Sequence, residues 1–228
     1  ARLLHCAEFA LIGPGWSDRR RDSFILGRAA SAEVVSRCNG VGPVLRGRSG
    51  EPRWPSGLTG SIAHKDALAV AVGMCRARQC ASSVFHESIG IDIELTHEQL
   101  PADAWDLFLG ANEMQAILHW RRQRLTRVLS SLSRLTLLIA FSLKESIIKA
   151  VTHACGAVMS FHSFSLEPTR NQGATCLVRL PAALPSMRLI LDFAIRRPVI
   201  ISYCHAVPEV SASGFREKQF RRGQGGMG

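Results

Sequence analysis

Two short runs of the sequence hold residues that could do chemistry together. In Ser88-Ile89-Gly90-Ile91-Asp92-Ile93-Glu94 the alternation predicts a strand. Ile89, Ile91 and Ile93 would turn to a core, and Asp92 and Glu94 would project together from the other face. Phe141-Ser142-Leu143-Lys144-Glu145-Ser146-Ile147-Ile148-Lys149-Ala150 reads as a helix on which Glu145 and Lys149, one i,i+4 step apart, point the same way. Three carboxylates converging beside lysines would make an oxygen-ligand site for Mg²⁺ working on a phosphate, because Mg²⁺ takes a few carboxylates together with substrate phosphate oxygens. Each run alone has a plainer reading. An isolated Asp-x-Glu is by default a solvated strand face, and Glu145 with Lys149 a surface ion pair of modest value.

The elements around these runs predict an α+β fold of two similar halves in one chain, a pseudo-twofold arrangement with the site in the cleft between them. Arg20 to Arg37 reads as a helix with Phe24, Ile25, Ala29, Ala32 and Val35 as a rough apolar stripe. Asn39 to Gly60, rich in Gly, Pro and Arg, reads largely as loop, and Gly60 to Gly73 as a strand or strand pair. After the acidic strand, the polar segment Thr96 to Asp103 is turn-like and separates an N-terminal half (1–100) from a C-terminal half (101–208). Ala104 to Trp120 reads as helix, and 121–135 is Arg- and Ser-rich without a clear pattern. The lysine helix follows, then strand-like segments at 161–166, 175–180 and 188–206, the last divided around Arg196-Arg197-Pro198. Residues 209–228 form a basic tail, glycine-rich from Gly214 and predicted disordered. Helix followed by strands occurs twice, without an internal sequence repeat.

The 228 residues carry 28 Lys and Arg against 18 Asp and Glu, a formal charge of +10, which favours anionic partners. Nucleic acid is disfavoured: there is one tyrosine, no aromatic RNA-binding pattern and no zinc-finger spacing. Seven cysteines, an odd number without Cys-x-x-Cys, read as reduced thiols of a cytoplasmic protein. No apolar stretch approaches the ~18 residues of a membrane span. The beginning, without Met or a clean apolar core, reads as a trimmed amino terminus rather than a secretion signal.

Four motifs stand in one order. Gly50-Glu51-Pro52-Arg53-Trp54-Pro55 precedes Gly60-Ser61-Ile62-Ala63-His64, then come the acidic strand and the Phe-Ser-x-Lys-Glu-Ser-x-x-Lys helix. This order resembles the 4′-phosphopantetheinyl transferases, in particular the enterobactin synthase component type serving siderophore and other nonribosomal peptide synthesis. The resemblance runs from about Arg20 to about Phe164. It implies Mg²⁺-dependent transfer of the phosphopantetheine arm of coenzyme A to a serine of an apo carrier protein, releasing adenosine 3′,5′-bisphosphate. It also implies Asp92, Glu94 and Glu145 as metal ligands, Glu94 directly or through water. Glu145 would be the base for the serine hydroxyl, Lys149 a cation for the leaving group, and Lys144 a flanking phosphate contact. His64 and Arg46 would reach coenzyme A, and Arg20 and Arg28 its 3′-phosphate, with Arg21 competing for Arg20's place.

The chain departs from the family pattern in three places. Lys65 and Asp66 follow His64 where relatives usually carry a small residue, Ser or Cys. The stretch 121–140 lengthens the gap before the lysine helix, near the expected carrier face, and the tail 216–228 has no counterpart. An acidic carrier suits the positive charge, and two halves in one chain make a monomer sufficient. The alternative is a degenerate relative that binds coenzyme A or a carrier and transfers nothing.

Overall fold

The structure is a computed structural model that describes residues 4–47, 50–76, 86–98, 100, 104–124, 130–156, 158–168, 176–181, 184 and 186–209. The N-terminal elements are α1 (Cys6–Phe9), α2 (Asp18–Arg37), β1 (Leu45–Arg46), β2 (Pro52–Arg53), β3 (Leu58–Lys65), β4 (Leu68–Cys75) and β5 (Ser88–Leu95). Then come α3 (Trp105–Phe108), α4 (Ala111–Arg124), α5 (Ser130–Cys155), a 3₁₀ turn (Phe161–Ser163), β6 (Ser165–Pro168), β7 (Cys176–Arg179), β8 (Met187–Arg196) and β9 (Val199–Pro208). Helices and antiparallel strands alternate in an α+β fold, and a long helix with an antiparallel hairpin recurs as α2 with β3–β4 and α5 with β8–β9.

Helix α2 starts where Ser17 caps it, its hydroxyl accepting from Arg20 N at 3.4 Å. Asp18 in the first turn and Arg37 in the last suit the helix dipole. Its buried residues are Ser23, Gly27, Arg28, Ser31 and Val35, whereas Ala32 of the expected apolar stripe is exposed. Small residues win this face because the hairpin lies close: a Cβ on Gly27 would stand 3.1 Å from Ile62 Cγ2. The segment expected to be loop contains the short antiparallel pair β1–β2, and the predicted strand pair is the β3–β4 hairpin.

Strand β5 is packed from both sides. Ile91 and Ile93 cluster with Ala63, Val70 and Val72 of the hairpin and with Val199 and Ile201 of β9. Gly90 lies against α5 so closely that a Cβ there would fall 1.9 Å from Ser146 O and 2.8 Å from Ala150 N. Ser88 Oγ donates to Ala150 O on the same helix. The helix in turn buries Ile147, Ala150 and Val151 in the largest apolar cluster. Gly90→Ala is expected to cost at least about 1–3 kcal/mol, since helix backbone cannot move aside as a side chain can; denaturant unfolding measures it.

Several sequence readings change here. The division at residue 100 groups β5 with the N-terminal half, but its ladder is to β9, with Asp92 opposite Ser202, in the sheet β5-β9-β8. A strand in the middle of two layers belongs to whichever partner supplies its hydrogen bonds, and that partner lies far along the chain. The expected helix at 104–120 is two helices, α3 and α4, and the segment expected to be strand from 161 opens with the 3₁₀ turn. The tail from residue 210 lies outside the described residues.

Candidate active site

A cleft of about 460 Å³ opens between the N-terminal part of α2, the β1–β2 pair and β3. Arg20, Arg28, Arg46 and His64 all line it, together with Arg19, Trp16 and Phe24. Arg20 stacks over Trp16 with its guanidinium carbon 4.4 Å from the ring centre, and Arg28 over Phe24 at 4.7 Å. Arg21 does not line the cleft and instead pairs with Asp18 at 3.4 Å.

Arg28 is the unusual member, 6% exposed. Its Nη2 donates to Leu45 O at 3.3 Å, and its buried Nε has no hydrogen-bond partner among the described residues. Burial lowers its pKa from the ordinary arginine value; Glu8 opposes that shift and Arg46 adds to it. The Glu8 carboxylate is engaged elsewhere, accepting from Val44 N at 2.9 Å and His5 N at 3.0 Å. A buried guanidinium with an unmet N–H and a second arginine nearby is built to receive an anion.

His64 connects the cleft to the carboxylates. It is open to water along the cleft yet walled by protein. Burial, then Lys149, holds its imidazole below the usual histidine range, partly offset by its own backbone and by Asp92. Asp92 accepts a 2.7 Å ion-pair hydrogen bond from Lys149 Nζ on Oδ1 and a 2.9 Å bond from Ser142 Oγ on Oδ2. Lys149 Nζ also donates to Ile91 O at 3.1 Å and stands 4.0 Å from Glu145 Oε2. Burial raises the Glu145 carboxyl above its ordinary value, Lys149 lowers it and Asp92 raises it further. The helix and strand thus bring Asp92, Glu145 and Lys149 together, with the cleft arginines one residue, His64, away in space.

Two of the expected site residues are placed otherwise. Glu94 shares the Asp92 face but its Oε2 is paired with Lys65 Nζ at 2.7 Å. Burial pushes this carboxyl up to about 7 against the pull of Lys65. Lys144 is fully buried and contacts no part of the cleft. Its Nζ donates to Glu113 Oε2 (2.7 Å), Phe108 O (2.8 Å), Phe161 O (2.8 Å) and Phe164 O (3.3 Å). That saturated ammonium is a clamp inside the C-terminal half and not a phosphate contact. Sequence reasoning missed Trp16, Ser142 and Glu113 and passed over Arg19 in favour of its neighbour Arg20. Arg19, in the same arginine run, and Ser142, within the helix motif one turn before Glu145, carried a local signal.

Among the described residues no group of three or more His, Cys, Asp or Glu is arranged to hold a metal ion. The donor chemistry fits a hard cation through two carboxylates. Asp92 and Glu145 are both drawn to one ammonium, and Asp92 raises the pKa of Glu145. A divalent ion completing its shell with water and phosphate oxygens would relieve that opposition.

The family model for the 4′-phosphopantetheinyl transferase N-terminal domain matches residues 14–73, and that for the 4′-phosphopantetheinyl transferase superfamily matches residues 88–204, over half of the chain. The chain belongs to the 4′-phosphopantetheinyl transferase superfamily. The 4′-phosphopantetheinyl transferase Npt of Nocardia iowensis is 36% identical over 104 residues, 45% of this chain and 42% of that protein. PptT of Mycobacterium tuberculosis is 35% identical over 113 residues, 46% of each. The match therefore spans less than half the length of these curated relatives. A solved holo-(acyl-carrier-protein) synthase from Bacillus anthracis in complex with CoA (3′,5′-ADP) is 16% identical with a TM-score of 0.41, covering 53% of this chain and 96% of that one. The second-half match begins at β5, as the strand pairing does.

Proposed function

We propose that the chain moves the 4′-phosphopantetheine arm of coenzyme A onto a serine of an apo carrier protein and releases adenosine 3′,5′-bisphosphate. The observation that carries this reading is the continuity of the site: a cleft holding an unsatisfied buried arginine leads through His64 to Asp92, Lys149 and Glu145. Family membership supports it. Arg20, Arg28 and Arg46 would take the 3′-phosphate and neighbouring phosphates, and His64 would hold the chain of phosphates toward the carboxylates. Mg²⁺ bound by Asp92 and Glu145 would neutralise charge on the pyrophosphate.

In the transfer, the serine Oγ–P bond forms as the phosphoanhydride P–O bond breaks, and the electron pair leaves with the adenosine bisphosphate. Glu145, beside Asp92 and Lys149, takes the serine proton at a carboxylate oxygen. Lys149 faces the leaving oxygen as a fixed cation. One chain supplies every one of these groups, so the proposed unit is a monomer, working in the cytoplasm. The formal charge of +10 suits an acidic carrier. The motif order supports carriers of nonribosomal peptide assembly, siderophore and enterobactin synthesis included, as acceptors.

Incubating the protein with coenzyme A, Mg²⁺ and an apo carrier should add the mass of the phosphopantetheine arm to the carrier. Binding of coenzyme A without that mass would instead establish the degenerate relative. Arg28→Ala is expected to weaken coenzyme A by about 1.5–3 kcal/mol and to leave 3′-dephospho-coenzyme A nearly unaffected, one charge-assisted contact being lost. Equal losses for both, by calorimetry, would move Arg28 off the 3′-phosphate.

A further inference from the structure

Glu94 and Lys65 form a pair that the proposed reaction does not use. Lys65 ends β3 and is the last residue before the hairpin turn, with Leu68 opposite it. Its ammonium reaches across to β5, 2.7 Å from Glu94 Oε2 and 2.5 Å from Glu98 Oε2. Glu98 is fixed in the turn that follows β5, its N–H donating to Leu95 O at 3.0 Å. The Glu94 side chain is 6% exposed and that of Lys65 24%. The Glu94 carboxylate is thus shielded from water and closed on one oxygen by a lysine that a second carboxylate holds in place.

We propose that Lys65 is a built-in cation that takes Glu94 out of the metal-binding set, so that Asp92 and Glu145 alone ligate the divalent ion in this chain. The inference rests on the metal reading under Proposed function. Its physical content is electrostatic and steric. Lys65 Nζ stands 2.7 Å from Glu94 Oε2, so a divalent ion beside that oxygen would have to lie next to a positive charge. Affinity of an oxygen-ligand site rises with the number of carboxylate charges it can direct at the ion. Lys65 therefore sets that number at two and keeps the ion weakly held, exchangeable with its substrate phosphates. The same side chain ties the tip of the β3–β4 hairpin to the end of β5.

The test is direct binding of Mn²⁺, followed by electron paramagnetic resonance on the full chain without coenzyme A. Dissociation constants are compared for wild type, E94Q, K65M, K65S and K65M/E94Q. E94Q in the wild-type background should stay within about twofold of wild type, whereas D92N should weaken binding. K65M and K65S should each bind Mn²⁺ about tenfold more tightly, through the carboxylate they release. Adding E94Q to K65M should cancel the gain. Loss of affinity in E94Q comparable to that in D92N would overturn the proposal by showing Glu94 to be a ligand. Unchanged or weaker binding in folded K65M and K65S would overturn it equally. E94Q leaves Lys65 intact, so that arm stands even if the lysine variants fold poorly, and circular dichroism melting reports on all of them. The carrier mass shift judges the transferase reading separately, since none of these binding measurements uses it.

Discussion

Asp92→Asn is expected to abolish phosphopantetheine transfer, by about a thousandfold or more, while the chain stays folded. The substitution keeps the shape of the side chain and removes its charge. Ser142 Oγ can still donate to the amide oxygen in place of the carboxylate oxygen it now bonds at 2.9 Å. Lys149 loses its 2.7 Å partner, but its side chain is 26% exposed, so water and Glu145 at 4.0 Å absorb much of the loss. The chemistry has no such reserve. Charge neutralisation at a breaking phosphoanhydride is worth several kcal/mol, and each 1.36 kcal/mol is about tenfold in rate. The measurement is single-turnover loading of an apo carrier at saturating Mg²⁺, with melting by circular dichroism as the control. Turnover within tenfold of wild type in a folded variant would remove Asp92 from the proposed metal site, and Glu145→Gln carries the same expectation.

How far the sequence discloses this site depends on which interactions are local. The isoleucine alternation of 89–93 put Asp92 and Glu94 on one face, because a strand's period of two is a property of the backbone itself. The same rule says nothing of what approaches that face from elsewhere. Lys65 approaches it across the hairpin, and so two carboxylates with identical local signals end in different surroundings. Helix spacing leaves the cleft arginines open, since Arg21 stands about 20° from Arg28 around α2 and Arg20 about 80°; it is the structure that puts Arg20 in the cleft and pairs Arg21 with Asp18. The buried face of α2 was misread. An apolar stripe is the default, but the close approach of β3 selects Gly27, and the buried Ser31 likewise carries little hydrophobic signal. The ladder of β5 to β9 was not legible because that partnership spans more than a hundred residues and leaves no mark in either segment alone.

The two lysines of the helix motif make the sharpest case, and Lys144→Met is expected to cost about 3–5 kcal/mol of folding stability. Lys144 and Lys149 are five residues apart, which at 100° per residue places them roughly 140° apart around α5. They therefore face different layers. Lys149 turns to β5 and the proposed reaction, and Lys144 to the loop ends that flank α3, α4 and the 3₁₀ turn. Removing the Lys144 ammonium leaves Glu113, whose side chain is 5% exposed, without its cation, although Leu166 N still donates to Oε1 at 2.7 Å and Gly110 N to Oε2 at 3.3 Å. It also strips the Phe108, Phe161 and Phe164 carbonyls of a shared donor. Glu113→Gln added to Lys144→Met should recover part of the loss, since the stranded charge is gone while the carbonyls stay unmet. Lys149→Met should instead cost less stability than Lys144→Met, because the Lys149 side chain is 26% exposed and Ser142 still bonds Asp92, and should suppress transfer. Denaturant unfolding and calorimetry with coenzyme A separate the two roles. A Lys144→Met variant as stable as wild type but weaker for coenzyme A would return Lys144 to the phosphates. A destabilised variant whose folded fraction binds coenzyme A normally is what a buried clamp predicts.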